Sequence, residues 1–114
     1  MTKTKTKTKR VKRTREQPYV IVRGRNVGVH AGYLAEDKPN RMVLRDARRI
    51  WHWDGAGSLS GLAVYGTSKP ANCQFGAPVA RQELRGLDLM DDYEVIHCTP
   101  EAVKSIQGVT PWVA

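Results

Sequence analysis

Tyr19-Val-Ile-Val-Arg23, Gly24-Arg-Asn26 and Val27-Gly-Val-His-Ala-Gly-Tyr-Leu34 decide the fold class. β-Branched and aromatic residues fill the first and last of these stretches. The glycine-led triplet between them has turn chemistry, so residues 19–23 and 27–34 are expected to pair as an antiparallel hairpin. In the second strand the two-residue period puts Val27, Val29, Ala31 and Tyr33 on one face. Gly28 and Gly32 fall on the other, where a missing side chain lets another backbone approach or the sheet bend sharply, as in small coiled sheets and barrels.

Downstream, Glu36-Asp-Lys-Pro-Asn40 is a turn cluster and Arg41-Met-Val-Leu-Arg45 a third strand. Residues 50–53 have strand character, with Trp51 and Trp53 on one face and Ile50 and His52 on the other. Ser58 is placed to cap a short helix in which Leu59, Leu62 and Ala63 form an apolar stripe and Gly66 ends the run. Residues 67–78, with Pro70, Asn72, Gly76 and Pro78, read as loop, 79–84 as a strand, 86–92 as a connection and 93–98 as a late strand. Thr99-Pro-Glu101 supplies cap, first-turn proline and first-turn acid in order, predicting a helix over 99–107 stopped by Gly108. Pro111-Trp112 is expected to run extended and pack Trp112 back on the body. Strands with two short helices give an α+β domain: a small, mostly antiparallel sheet or partly open barrel.

Upstream lies a different composition. Residues 1–15 carry Lys3, Lys5, Lys7, Lys9, Arg10, Lys12, Arg13 and Arg15 and no acid. Of 19 basic side chains in the chain, those eight leave 11 to balance the 11 acids, so the formal +8 belongs to the arm and the body is neutral. With one apolar side chain after the initiator methionine, the arm has nothing to offset roughly 1–2 kcal/mol per residue of ordering cost, and disorder is expected for residues 1–17. Drawn straight, it would line its first four lysines along one side as a phosphate track. The eight cations are accordingly the candidate nucleic-acid-binding residues, for DNA or RNA; the plainer alternative is a solubilising tail.

A chain of 114 residues with 40% apolar content supports one domain, set here at 18–114. No apolar run approaches the roughly 18–20 residues that cross a bilayer, and Pro18 to Val22 before Arg23 is too short for a secretory signal. A soluble, cytoplasmic protein without a membrane partner is expected. Cys73 and Cys98 are too few for a disulfide scaffold and should stay thiols. Together with His30, His52 and His97 they show no CxxC or HxxxH spacing, so neither a metal site nor a cofactor is expected.

Two stretches invite chemistry. Gly55-Ala-Gly57-Ser58-Leu59-Ser60-Gly61 joins a strand to a helix, where backbone N–H groups could cradle an anion. Its spacing is GxGxxxG rather than GxGxxG and the Walker lysine is missing, which favours a structural junction. Arg48, Arg49, Trp51, His52, Trp53 and Asp54 concentrate donors and aromatic faces. Exposed, they would stack a base or hold a phosphate; buried, Trp51 and Trp53 supply core volume. Arg48, Arg49, Trp51, Trp53, Gly55, Gly57 and Ser58 are therefore the candidate ligand or anion site. Extended, Arg48 and Arg49 face opposite ways, and one of them is expected to pair with an acid such as Asp46 or Asp54. Ser58 and Ser60 lack a GxSxG elbow, and Asp91-Asp92 with Glu94 suits a solvated turn better than an acid–base pair, so no catalytic residue is assigned.

The segment from Arg48 to Ala63, with Tyr19-Val-Ile-Val-Arg23, Gly28-Val-His-Ala-Gly32, Ser68-Lys-Pro-Ala-Asn-Cys73 and Cys98-Thr-Pro-Glu101 through Trp112, resembles a family of small uncharacterised proteins encoded by bacteriophages and prophages. The resemblance covers residues 19–112 and implies a phage context, in the bacterial host cytoplasm or the virion, without an activity. The lysine-rich arm departs from that family's short N-terminus. The expected function is a non-enzymatic phage accessory protein whose arm contacts nucleic acid while the body docks a host or phage protein or self-assembles. The alternatives are a nucleotide- or ligand-sequestering module and a virion component.

Overall fold

The computed structural model describes residues 17–39, 41–85 and 93–113. The hairpin forms as its sequence predicts: β1 (Tyr19–Gly24) and β2 (Gly28–Lys38) pair antiparallel with Tyr19 opposite Tyr33 and Gly24 opposite Gly28. Arg25 to Val27 make the turn, and Gly28 has φ +82°. Val27 thus lies outside the strand and packs with Val20 and Val22, not with Val29 and Tyr33 on the opposite face as the alternation implied. β2 also runs on through Glu36 and Asp37 to Lys38, where a turn cluster was expected.

β3 is the largest departure from the sequence pattern. The two strands expected at 41–45 and 50–53 are one strand of 12 residues, Arg41–His52. Asp46 sits inside it with φ +50°, and the pairing with β2 is irregular beside it. Alternation breaks there: Arg45 and Asp46 are both exposed, Ala47 and Arg48 both buried. This is the signature of a bulge, in which one extra residue flips the phase of all that follow. Gly32 makes room for it, since a Cβ there would stand 2.9 Å from the Arg45 carbonyl oxygen and 3.1 Å from the Ala47 Cα.

Helix α1 (Leu59–Tyr65) is capped by Ser58, whose Oγ accepts from the Gly61 N–H, and ends at Gly66 with φ +75°. The predicted loop that follows contains a 3₁₀ turn, Pro70–Asn72, and a two-residue strand β4 (Gln74–Phe75). β5 (Val79–Arg85), β6 (Tyr93–His97) and α2 (Pro100–Gln107) complete the chain in the predicted order; the 86–92 connection, with Asp91 and Asp92, lies outside the described residues. The six strands form one antiparallel open sheet in the order β4-β3-β2-β1-β6, and β5 pairs with β3 along the same edge as β4. The fold is α+β.

Each sheet face buries its own core. On the first, Tyr19, Ile21, Ala31 and Ile50 meet Leu59, Leu62 and Ala63 of α1, Ile106 of α2, and Phe75. On the second, Val20, Val22, Met42, Leu44, Ala47 and Leu84 pack with strand neighbours. All the described members of this second cluster except Val27 are strand residues, so the sheet curls to close over it, and the Tyr93 hydroxyl of β6 donates to the Leu84 carbonyl of β5 at 3.3 Å. Among the described residues no helix is long and apolar enough to cross a membrane.

Candidate functional site

Past the bulge, the last turnings of β3 sort its side chains. Arg48 and Ile50 point to the helix-bearing face, where both are buried. Arg48 donates Nε–H to the Gly76 carbonyl at 2.7 Å, Nη1–H to the Ile106 carbonyl at 2.8 Å and Nη2–H to the Phe75 carbonyl at 3.4 Å. Its guanidinium carbon lies 5.6 Å from the centre of the Phe75 ring. The expected acid partner is replaced by three carbonyl oxygens, one of them at the C-terminal end of α2 where the helix dipole favours a cation. Burial holds the guanidinium below its ordinary pKa. Among the described residues neither Arg48 nor Arg49 forms an ion pair with Asp46 or Asp54.

The two tryptophans part company. Trp53 is half-buried against the helix-side core, whereas Trp51 keeps 52% of its surface exposed. Core volume is therefore supplied by Trp53 alone of the pair, because the strand ends at His52 and the alternation that put Trp51 and Trp53 on one face ends with it. Trp51 instead meets Trp112 edge-to-face, ring centres 5.6 Å apart, and lies over Gly76. Trp112 returns to the body as expected: its N–H donates to the Phe75 carbonyl at 2.9 Å. It still leaves 42% of itself exposed. Arg49 is exposed, two positions before Trp51 on the same strand. Beside this aromatic pair a groove of about 470 Å³ runs between Pro70, Cys73 and the segment carrying Pro111 and Trp112.

The glycine-rich junction is laced inward. Gly55 N–H donates to Asp54 Oδ1 at 2.8 Å, and Asn72 Nδ2 donates to Asp54 Oδ2 at 3.1 Å. Those two hydrogen bonds, Asn72 first, hold the Asp54 carboxyl below the usual carboxylate range. Thr67 Oγ1 donates to the Asp54 carbonyl and Ser68 N–H to the Gly55 carbonyl. Ser58 Oγ is engaged with Gly61 N–H, while Gly57 faces open space. A carboxylate thus occupies the start of the junction, the Gly55 carbonyl ties it to Ser68, and the Ser58 hydroxyl caps α1. The predicted candidates Arg48, Trp53, Gly55 and Ser58 do structural duty here; Arg49, Trp51 and Gly57 remain at the surface.

Cys73 is buried, with Sγ 3.5 Å from the Asp54 N–H and 3.6 Å from Thr67 Oγ1. Burial pushes the Cys98 thiol up to about 11. Both are free thiols. Among the described residues no group of three or more His, Cys, Asp or Glu is placed to hold a metal ion. The eight arm cations, Lys3, Lys5, Lys7, Lys9, Arg10, Lys12, Arg13 and Arg15, lie outside the described residues.

Sequence reasoning missed two features. Trp112 was expected only to pack, yet it completes an exposed aromatic pair. The other is a set of cations on the helix-bearing face: Arg45 stands directly opposite Arg81, and Arg41 opposite Arg85. Their strand periodicity was visible, but pairing partners 36 to 44 residues apart were not.

No curated protein and no solved structure matches the chain. A family model described as "Domain of unknown function (DUF6948)" matches residues 17–106, which includes the whole hairpin, β3, the N-cap residues of both helices and the strands between them. The chain belongs to the DUF6948 family.

Proposed function

We propose that the protein is a binding factor of phage or prophage origin that grips nucleic acid with residues 1–15 and uses its folded body to dock a protein partner or a second copy. The phage context is supported by the sequence resemblance over residues 19–112. The binding role is carried by one observation: eight cations and no acid in the first 15 residues, against balanced charge in the rest. Each phosphate neutralised on duplex DNA releases counterions and adds about −0.9 to the slope of log K against log salt. Replacing the eight arm cations by Gln in the full-length chain is expected to flatten that slope by about 7. Binding that keeps the same slope after those substitutions overturns the proposal.

The exposed Trp51–Trp112 pair beside Arg49 favours a second function, capture of a nucleotide by stacking on the body. Base–aromatic stacking is worth about 1–3 kcal/mol per base. A nucleotide that uses this pair should stabilise the full-length protein by about 2.7 kcal/mol at a hundredfold excess over its Kd, and Trp51→Ala should abolish the effect. No shift in thermal midpoint across a nucleotide panel removes this function.

A further inference from the structure

We propose that Arg45 and Arg81 form a clamp for the phosphate backbone of duplex DNA, continuing the arm's cationic tract onto the uncovered part of the sheet. The clamp rests on the arm's role in nucleic-acid binding and gives that role a second, folded contact.

Arg45 on β3 and Arg81 on β5 are directly opposite in the antiparallel register. Opposed residues share a face with Cβ atoms about 5 Å apart, and like charges so placed destabilise a sheet. The same two strands contain a second pair of opposed arginines, Arg41 and Arg85. That pair is neutralised: Arg41 binds Glu36 and Glu83, and Arg85 binds Glu83 at 3.2 Å. Arg45 and Arg81 receive no such treatment. Among the described residues no carboxylate lies within ion-pair distance of either, and both are exposed. Two opposed arginines without an ion-pair partner among the described residues suit a phosphate diester, which accepts parallel N–H donors from arginine.

The position of the pair links it to the arm. Tyr19, Tyr33, Arg45 and Arg81 form one row across the sheet, each opposite the next. Tyr33 accepts a hydrogen bond from Gln107 of α2, so the row leaves the helix cover as it reaches the arginines. Arg45 Nη1 donates to Gln17 Oε1 at 2.9 Å, a neutral partner two residues after the arm's last cation, Arg15. Gln17, one residue after Glu16 and two after Arg15, thus sets the described start of the body against Arg45. A phosphate backbone gripped by the arm can continue onto Arg45 and Arg81.

The test compares salt slopes for duplex DNA with four full-length chains: native, Arg45→Gln/Arg81→Gln, Arg41→Gln/Arg85→Gln, and the arm with its eight cations replaced by Gln. Ten phosphate contacts give a native slope near about −9, and the Arg45/Arg81 double variant brings it to about −7. The ion-paired Arg41/Arg85 control should keep the native slope. Removing the opposed charges should not lower the thermal midpoint of the Arg45/Arg81 variant, which separates a binding role from a structural one. A native-like slope in that variant overturns the clamp while leaving the arm's role standing. A native slope unaffected by the arm substitutions overturns the arm's role instead; the clamp then stands only if the residual binding is lost with Arg45 and Arg81. Should the pair respond to an acidic polypeptide such as poly-glutamate and not to DNA, its occupant is a protein and the clamp is refuted.

Discussion

Arg48 shows how a single side chain can hold three segments without any opposite charge nearby. Its three carbonyl partners belong to β4, the residue after it and the C-terminal end of α2; the Phe75 carbonyl also accepts from the Trp112 N–H and the Ile106 carbonyl from the Val109 N–H, which leaves the Gly76 carbonyl dependent on Arg48 among the described residues. Arg48→Met keeps an apolar stem of comparable length but orphans the Gly76 oxygen, at about 1–3 kcal/mol if it stays dry, and removes two further hydrogen bonds from a charged donor. The variant is expected to lose about 3 kcal/mol of stability overall, read as a lower urea midpoint at unchanged m-value. His30 makes a different prediction. It is 1% exposed and its Nε2–H donates to the Val27 carbonyl at 2.8 Å, which fixes the neutral tautomer. Burial, with the Arg49 charge adding to it, holds the imidazole below its ordinary value of 6.5 against the opposing pull of the Val27 carbonyl. Below pH 6.5 the unfolded chain takes up a proton that the folded one refuses, so stability falls as pH drops from 6.5 towards the folded pKa. His30→Gln should flatten that fall in urea titrations compared at pH 7.5 and pH 5.

The two helices differ in how their first turns are tied down. Ser58 Oγ accepts only from Gly61 N–H at the start of α1. Thr99 Oγ1 accepts from Ala102 N–H and also donates to the Val64 carbonyl at 2.7 Å, tying the start of α2 to the last turn of α1. Ser58→Ala should therefore cost about 1 kcal/mol, an ordinary cap, and Thr99→Ala about 2 kcal/mol, a cap plus an inter-helix hydrogen bond. Equal losses in thermal denaturation would mean the Val64 contact contributes nothing. Caps of this kind were legible in the sequence because they are local: Ser58, Gly66, Thr99, Pro100 and Gly108 act within four residues of themselves. The bulge at Asp46 was not. Nothing within a few residues of Asp46 demands a positive φ; the demand comes from β2, where Gly32 lets β3 approach closely enough for its phase to slip. That slip turned two predicted strands into one and sent Arg48 inward.

Across the whole molecule, residues 16–114 carry 11 basic and 11 acidic side chains, and those described are unevenly placed. One end of the helix-bearing face gathers Lys38, Arg41, Arg45, Arg81 and Arg85 around Glu36 and Glu83, because β2, β3 and β5 continue past the edge of α2 and expose their outward residues. Such polarisation attracts polyanions even in a neutral body. The opposite end of β3 carries the aromatic pair, so one long strand spaces the two candidate surfaces. By itself the sequence determined the α+β class, the hairpin, both capped helices and the separation of a cationic arm from a neutral body, since each depends on short-range periodicity, capping chemistry or simple counting. Only the tertiary structure decided which arginine is buried, which tryptophan is exposed and which cations stand unpaired opposite one another. Those outcomes depend on strand register and on one inserted residue, and register is set by contacts between segments far apart in the chain.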